Sequence, residues 1–162
     1  MKKITSHLML ACFLAATAAP VLAQTLDTHF ICSDIRKEDG DGERVNYADQ
    51  GRFSLDKDKI KTFQWESSLF RTTHGFDCSI DESDGVQAEV TEKGWRVTLK
   101  DALAARAARG YDTERGNNCS IRLERDGDEV HIKPTCAVMC GSRNNFTALT
   151  VNAKTGACHY DE

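Results

Sequence analysis

The chain has 162 residues, 40% of them hydrophobic and 28% charged, with 21 Lys+Arg against 25 Asp+Glu and a formal net charge of −4. That length suits one domain, and the acidic surplus repels nucleic acid and anionic lipid while steering towards basic partners. Seven cysteines against two prolines, with no Gly/Ser-rich linker or low-complexity tract, argue against a multidomain or disordered chain and for a compact domain braced by sulfur.

Residues 1–23 read as an export signal. Lys2 and Lys3 form a basic start, Leu8 to Ala19 an apolar run, and Val21-Leu22-Ala23 before Gln24 the small-residue cleavage pattern. Cleavage near Ala23 is expected to release one mature β-rich domain, 24–162, into the periplasm or the exterior. A lipoprotein acceptor at Leu10-Ala11-Cys12 would need a longer apolar run ahead of the cysteine. No second apolar stretch approaches the roughly 18 residues that span a bilayer, so no membrane span is expected. Cys32, Cys78, Cys119, Cys136, Cys140 and Cys158 follow the signal, an even set that predicts disulfides in an oxidising compartment.

Thr28 to Arg36 and Val45 to Leu55 read as strands flanking an acidic turn, Lys37 to Glu43, and Phe63 and Trp65 open another apolar stripe. Val86, Ala88 and Val90 share one strand face. Thr91 to Gly94 makes a turn, and Trp95, Val97 and Leu99 return on the same face, a hairpin for either a two- or a four-residue loop. The one helix predicted starts from an Asp101 cap, covers 102–109, stops at Gly110 and packs Leu103 against a sheet.

A second hairpin turns at Asp126-Gly127, setting Leu123 against Val130 and Ile121 against Ile132. In that register Cys119 faces Pro134, and a Cys119–Cys136 bridge needs a bend or bulge near the proline. A third hairpin runs from Phe146–Val151 through a loop with a left-handed Gly156 to Ala157–Tyr160. Cys119–Cys136 is the favoured bridge, with Cys140–Cys158 and Cys32–Cys78 completing the set. The fold class is mainly β: a single disulfide-braced antiparallel sandwich or open barrel of roughly nine to eleven strands, with one short helix near 102–109.

No chemical motif stands out. Cys136-x-x-x-Cys140 lacks the partner pair of a metal site, and His29, His74, His131 and His159 have no ligand spacing, so neither metal nor cofactor is expected. Asp39 to Glu43 lacks the spaced oxygen ligands of a calcium loop, and Ser142 has no nucleophile elbow around it, so catalysis is not expected either. Trp65, Trp95 and Phe63 fall on apolar stripes and read as core. Tyr111 follows the helix stop in a polar loop. With Arg109, Asp112, Glu114 and Arg115 it forms a candidate protein-contact edge.

The segment Cys136-Ala137-Val138-Met139-Cys140-Gly141-Ser142-Arg143 resembles one found in small periplasmic bacterial proteins grouped with lysozyme inhibitors. The resemblance implies a non-enzymatic protein that blocks a basic cell-wall hydrolase by placing a loop in its glycan cleft. The resemblance names no residues for that role; the candidates read from this sequence are the loops 141–145 and 110–118, with Ser142, Arg143, Asn144, Tyr111 and Arg115 as contact residues. Two other readings stay open: an immunity protein against a periplasmic toxin, and a small-ligand carrier with a pocket inside the β-structure.

Overall fold

The computed structural model describes residues 24–37, 42–141 and 145–161. In chain order these form β1 (Thr25–Lys37), β2 (Arg44–Asp56), β3 (Lys59–Phe70), β4 (Gly75–Asp81) and a 3-10 turn, Glu82–Asp84. Then come β5 (Val86–Thr91), β6 (Gly94–Leu99), α1 (Ala102–Ala108), β7 (Ile121–Asp126), β8 (Glu129–Pro134), β9 (Leu149–Asn152) and β10 (Cys158–Tyr160). They build two antiparallel sheets, β1-β2-β3-β4 and β10-β9-β8-β7-β6-β5, that do not close into a barrel. The expected mainly β architecture is therefore a sandwich. Among the described residues no helix is long and apolar enough to cross a membrane. The proposed signal lies outside those residues.

Period-two alternation makes these strands and puts their apolar phase between the sheets. Leu26, Thr28, Phe30 and Cys32 alternate with exposed residues along β1, and Phe63, Trp65, Ser67 and Leu69 do the same along β3. The middle of the sandwich is aromatic: Phe53 stacks on Phe63 at 4.5 Å between centroids, and Trp65 meets Phe146 edge-on at 4.4 Å. Trp95 fills the β6 side, its indole N–H donating to Lys57 O at 2.7 Å. The three aromatics read as core are core, each at most 1% exposed.

The first predicted hairpin forms with its expected register, Val86 opposite Leu99, Ala88 opposite Val97 and Val90 opposite Trp95. The second turns one residue later than expected, around Gly127-Asp128, pairing Asp126 with Glu129, Leu123 with Ile132 and Ile121 with Pro134. The left-handed conformation falls on Gly127 (φ 60°) and not on Asp126, because a glycine at the first loop position takes it without a Cβ penalty. The slip shifts pairing by two residues, so every side chain keeps its face. It also brings Cys119 directly opposite Cys136, and their bridge forms at a Cα separation of 5.7 Å with no bulge required.

The other two bridges differ from the expected pairs. Cys32 joins Cys158 and Cys78 joins Cys140, not Cys32–Cys78 and Cys140–Cys158. Cys32 and Cys78 sit in one cross-strand row, Cys32-Asp49-Ser67-Cys78, with two strands between them. Three strand spacings of about 4.8 Å put them about 14 Å apart, twice what a disulfide spans. Sheet stacking places β10 beside the β1 edge, and Cys158 meets Cys32 there. The three disulfides suit an oxidising compartment. The third hairpin keeps its left-handed Gly156 (φ 74°), but its first strand begins only at Leu149.

Candidate functional site

Helix α1 and its C-cap carry the two arginines, Arg106 and Arg109, that organise one end of the sandwich. Asp101 caps it, accepting from Ala104 N–H at 3.0 Å. Leu103, expected to pack on a sheet, is 50% exposed, whereas Arg106 is 2% exposed. The reason is what surrounds the helix: it lies against bare loop carbonyls, and a guanidinium can satisfy several at once. Arg106 donates to Met139 O at 2.9 Å, to Asn117 Oδ1 at 2.6 Å and to the carbonyls of Arg115 and Gly116. Burial pulls its pKa down.

One side chain thus ties the 115–117 turn to the 136–141 segment, and the backbone completes the contact. Gly116 (φ 72°) lies so close to Val138 O, and Gly141 (φ 74°) so close to Asp112 O, that a Cβ at either position would collide with the carbonyl. Cys78–Cys140 anchors this double layer to β4 and Cys119–Cys136 anchors it to the start of β7. Asn145 is fully buried and donates to Ser67 O at 2.9 Å and Phe76 O at 2.6 Å. Cys140 and Asn145 therefore fix both ends of the expected 141–145 loop. Its contact candidates Ser142, Arg143 and Asn144 lie outside the described residues.

Of the remaining predicted contact residues, Arg115 is exposed, and its backbone carbonyl accepts from Arg106. Tyr111 is half-buried against the core, its hydroxyl accepting from Ser79 N–H at 3.4 Å, so it supports the platform and does not project from it. Arg109, placed by sequence on the same contact edge, is committed elsewhere. It grips Asp84 through two nitrogens (2.7 and 2.8 Å), Asp81 at 2.8 Å and Ser79 Oγ at 2.8 Å. The Asp84 and Asp81 hydrogen bonds raise its pKa, while the Ser83 hydroxyl and then Arg109 hold Asp81 below the ordinary carboxylate range. This clamp docks α1 onto β4.

A second polar group, missed from the sequence, lies inside. Asp49 is 2% exposed on the inner face of β2 and accepts from Trp65 Nε1–H and from the Tyr160 hydroxyl, both at 2.7 Å. Burial raises its pKa, and burial followed by the Asp49 charge raises that of Tyr160. The Arg36 guanidinium stands 5.3 Å from the Tyr160 ring. The signal was present: in the inward phase Val45, Tyr47, Asp49, Gly51, Phe53, only Asp49 is charged.

One depression, about 600 Å³, is an open trough across the outer face of β1–β4, walled by His29, Arg52, Gln64, Asp81, Gln50 and Glu66. The space between the sheets, where a carrier would hold its ligand, is filled by the aromatic core. Among the described residues no group of three or more His, Cys, Asp or Glu is placed to hold a metal ion. No family model, curated protein or solved structure matches the chain.

Proposed function

We propose that this chain is an exported, non-enzymatic binding protein that inhibits a lysozyme or another basic cell-wall hydrolase by presenting the 110–118 and 141–145 loops to its glycan cleft. The observation that carries this reading is the locking of residues 115–117 against 136–141, which leads into the second loop, by Arg106, Cys78–Cys140 and Cys119–Cys136. Loops fixed before encounter lose little freedom on binding, which is where flexible loops forfeit affinity. The acidic surplus of the chain favours fast encounter with a basic enzyme. Arg115 supplies a cation on the platform, and Arg143, two residues beyond Gly141, is the first residue to test.

The test is inhibition of basic lysozymes clearing a peptidoglycan suspension, with complex formation followed by calorimetry. Stoichiometric inhibition that falls at least tenfold, about 1.4 kcal/mol, in Arg143→Ala or Arg115→Ala supports the reading. Turnover of peptidoglycan by the protein alone, or no complex with any member of a hydrolase panel, refutes it.

A further inference from the structure

Three of the four sheet edges are engaged, over part of their length, by other segments of the molecule. Along β1, the Tyr160 hydroxyl lies 3.3 Å from Cys32 O, Arg125 donates to Thr25 O at 2.7 Å, and Gly156 presses on His29 O. The Tyr160 contact and the Cys32–Cys158 bridge hold β10 against β1. Along β4, Tyr111 OH meets Ser79 N–H, Asp84 accepts from Asp81 N–H, and Asn145 donates to Phe76 O.

The fourth edge, β5, is bare. Lys100 N donates to Gly85 O at 2.9 Å, and bonded pairs in an antiparallel ladder alternate. Gln87, Glu89 and Thr91 therefore spend their backbone groups on Thr98, Arg96 and Gly94 of β6. The N–H and C=O of Val86, Ala88 and Val90 point outward, and no described residue bonds them. No proline, bulge or lysine guards this strand, the usual devices against edge pairing. Val90 is 42% exposed, and an open depression of about 590 Å³ runs beside the strand between Ile60 and Val86, Ala88 and Glu89.

We propose that β5 pairs antiparallel with β5 of a second copy of this chain, joining two six-stranded sheets into one. The strand is self-complementary when centred on Ala88. Ala88 opposite its own copy puts Val86 against Val90 and Gln87 against Glu89, keeps the apolar set on the inner face, and lets the outward groups of Val86, Ala88 and Val90 bond reciprocally. Moving the pairing by one residue sets apolar against polar faces. Centring it on Glu89 opposes two carboxylates directly. The self-pairing goes beyond the proposed function and uses none of its residues.

Sedimentation equilibrium of the oxidised protein between about 10 μM and about 1 mM tests the proposal, with the variants Ala88→Pro and Val90→Lys. Proline at 88 removes only an outward N–H, which an edge strand tolerates, and lysine at 90 places a cation against Val86 of the other copy. The wild type should move towards dimer mass with slowed exchange of the amides of Val86, Ala88 and Val90, and both variants should stay monomeric. If Ala88→Pro fails to fold by circular dichroism, Val90→Lys decides alone. A wild type that stays monomeric throughout, or a folded variant that associates as well as it does, overturns the proposal.

Discussion

Replacing Arg106 by Met keeps the stem of the side chain and removes the guanidinium, which isolates what the clamp contributes. Four hydrogen bonds disappear, to Met139 O, Asn117 Oδ1 and the carbonyls of Arg115 and Gly116. Water can reach the exposed Asn117 and Arg115, so those acceptors recover part of their solvation. Met139 is 3% exposed and its carbonyl is left unsatisfied, costing about 1–3 kcal/mol by itself. With partial losses at the other three, Arg106→Met should destabilise by about 3–5 kcal/mol, a large share of the usual 5–15. For a domain of this size that lowers the melting temperature by about 10–20 °C.

Arg106→Lys retains the charge but not the fork and should recover less than half of the loss. Leu103→Ala, on the exposed face of the same helix, should stay within about 0.5 kcal/mol. The disulfides still hold Cys119, Cys136 and Cys140 in place, so the β circular-dichroism signal should survive in the cold while residues 111–118 become the first site of limited proteolysis. Melting within about 2 °C of the wild type, with no new cleavage there, would show that the guanidinium does not hold the platform.

Peptide mapping by mass spectrometry should recover Cys32–Cys158, Cys78–Cys140 and Cys119–Cys136. Removing them pairwise with Ala should rank by loop length, sequence separations of 126, 62 and 17, with losses of at most about 5, 4 and 3 kcal/mol, read from denaturant melts; an inverted order would contradict chain entropy as the cause. Burial raises the Asp49 pKa above its unfolded value of 3.8, so its contribution is full below that pH and is lost as pH rises through the folded value. Asp49→Asn should therefore flatten the fall in unfolding free energy above pH 3.8 and be no less stable than wild type at neutral pH, since an amide can accept from Trp65 and donate to the Tyr160 oxygen; a variant that melts lower at pH 7 would refute this. Gly116→Ala should cost more than Gly127→Ala by about 1–3 kcal/mol, because both have positive φ but only at Gly116 does a Cβ meet backbone, Val138 O; equal melting temperatures would show that the two segments are not in contact.

What the sequence made legible was whatever a period of two controls. Three hairpins, their inward faces and the core status of Phe63, Trp65 and Trp95 follow from alternation alone, and even the one-residue turn error at Gly127 left every face correct because it moved the pairing by two. The bridges across the sheets were not legible, since no local pattern says that β10 stacks beside β1 and not beside the segment carrying Cys140. The Arg106 clamp was hidden for a different reason. Apolar periodicity directs attention to Leu103, whereas that face of the helix meets loop carbonyls, and only the long-range contact with Met139 shows that a charged group belongs inside. For the platform, the sequence marked 110–118 and 141–145 as candidate loops but had no means to show that the 115–117 turn touches 136–141.

The distribution of cross-links bears on how one small sandwich could serve two contacts. Cys78–Cys140 and Cys119–Cys136, with Arg106 between them, stiffen the end where two loops meet, and Cys32–Cys158 fastens the β1–β10 side. None of the three touches β5 or β6, so that side depends on hydrogen bonding and on Trp95, buried at 1% exposure behind Val90. Reduction should therefore loosen the platform and the β1–β10 side before it affects the β5–β6 hairpin. Under partial reductant, hydrogen exchange should accelerate in 111–118 and in β10 while the Trp95 and Val97 amides, bonded within the sheet, stay protected. Simultaneous exposure of the hairpin and the platform would mean that the disulfides hold the whole sandwich and not its two fastened regions.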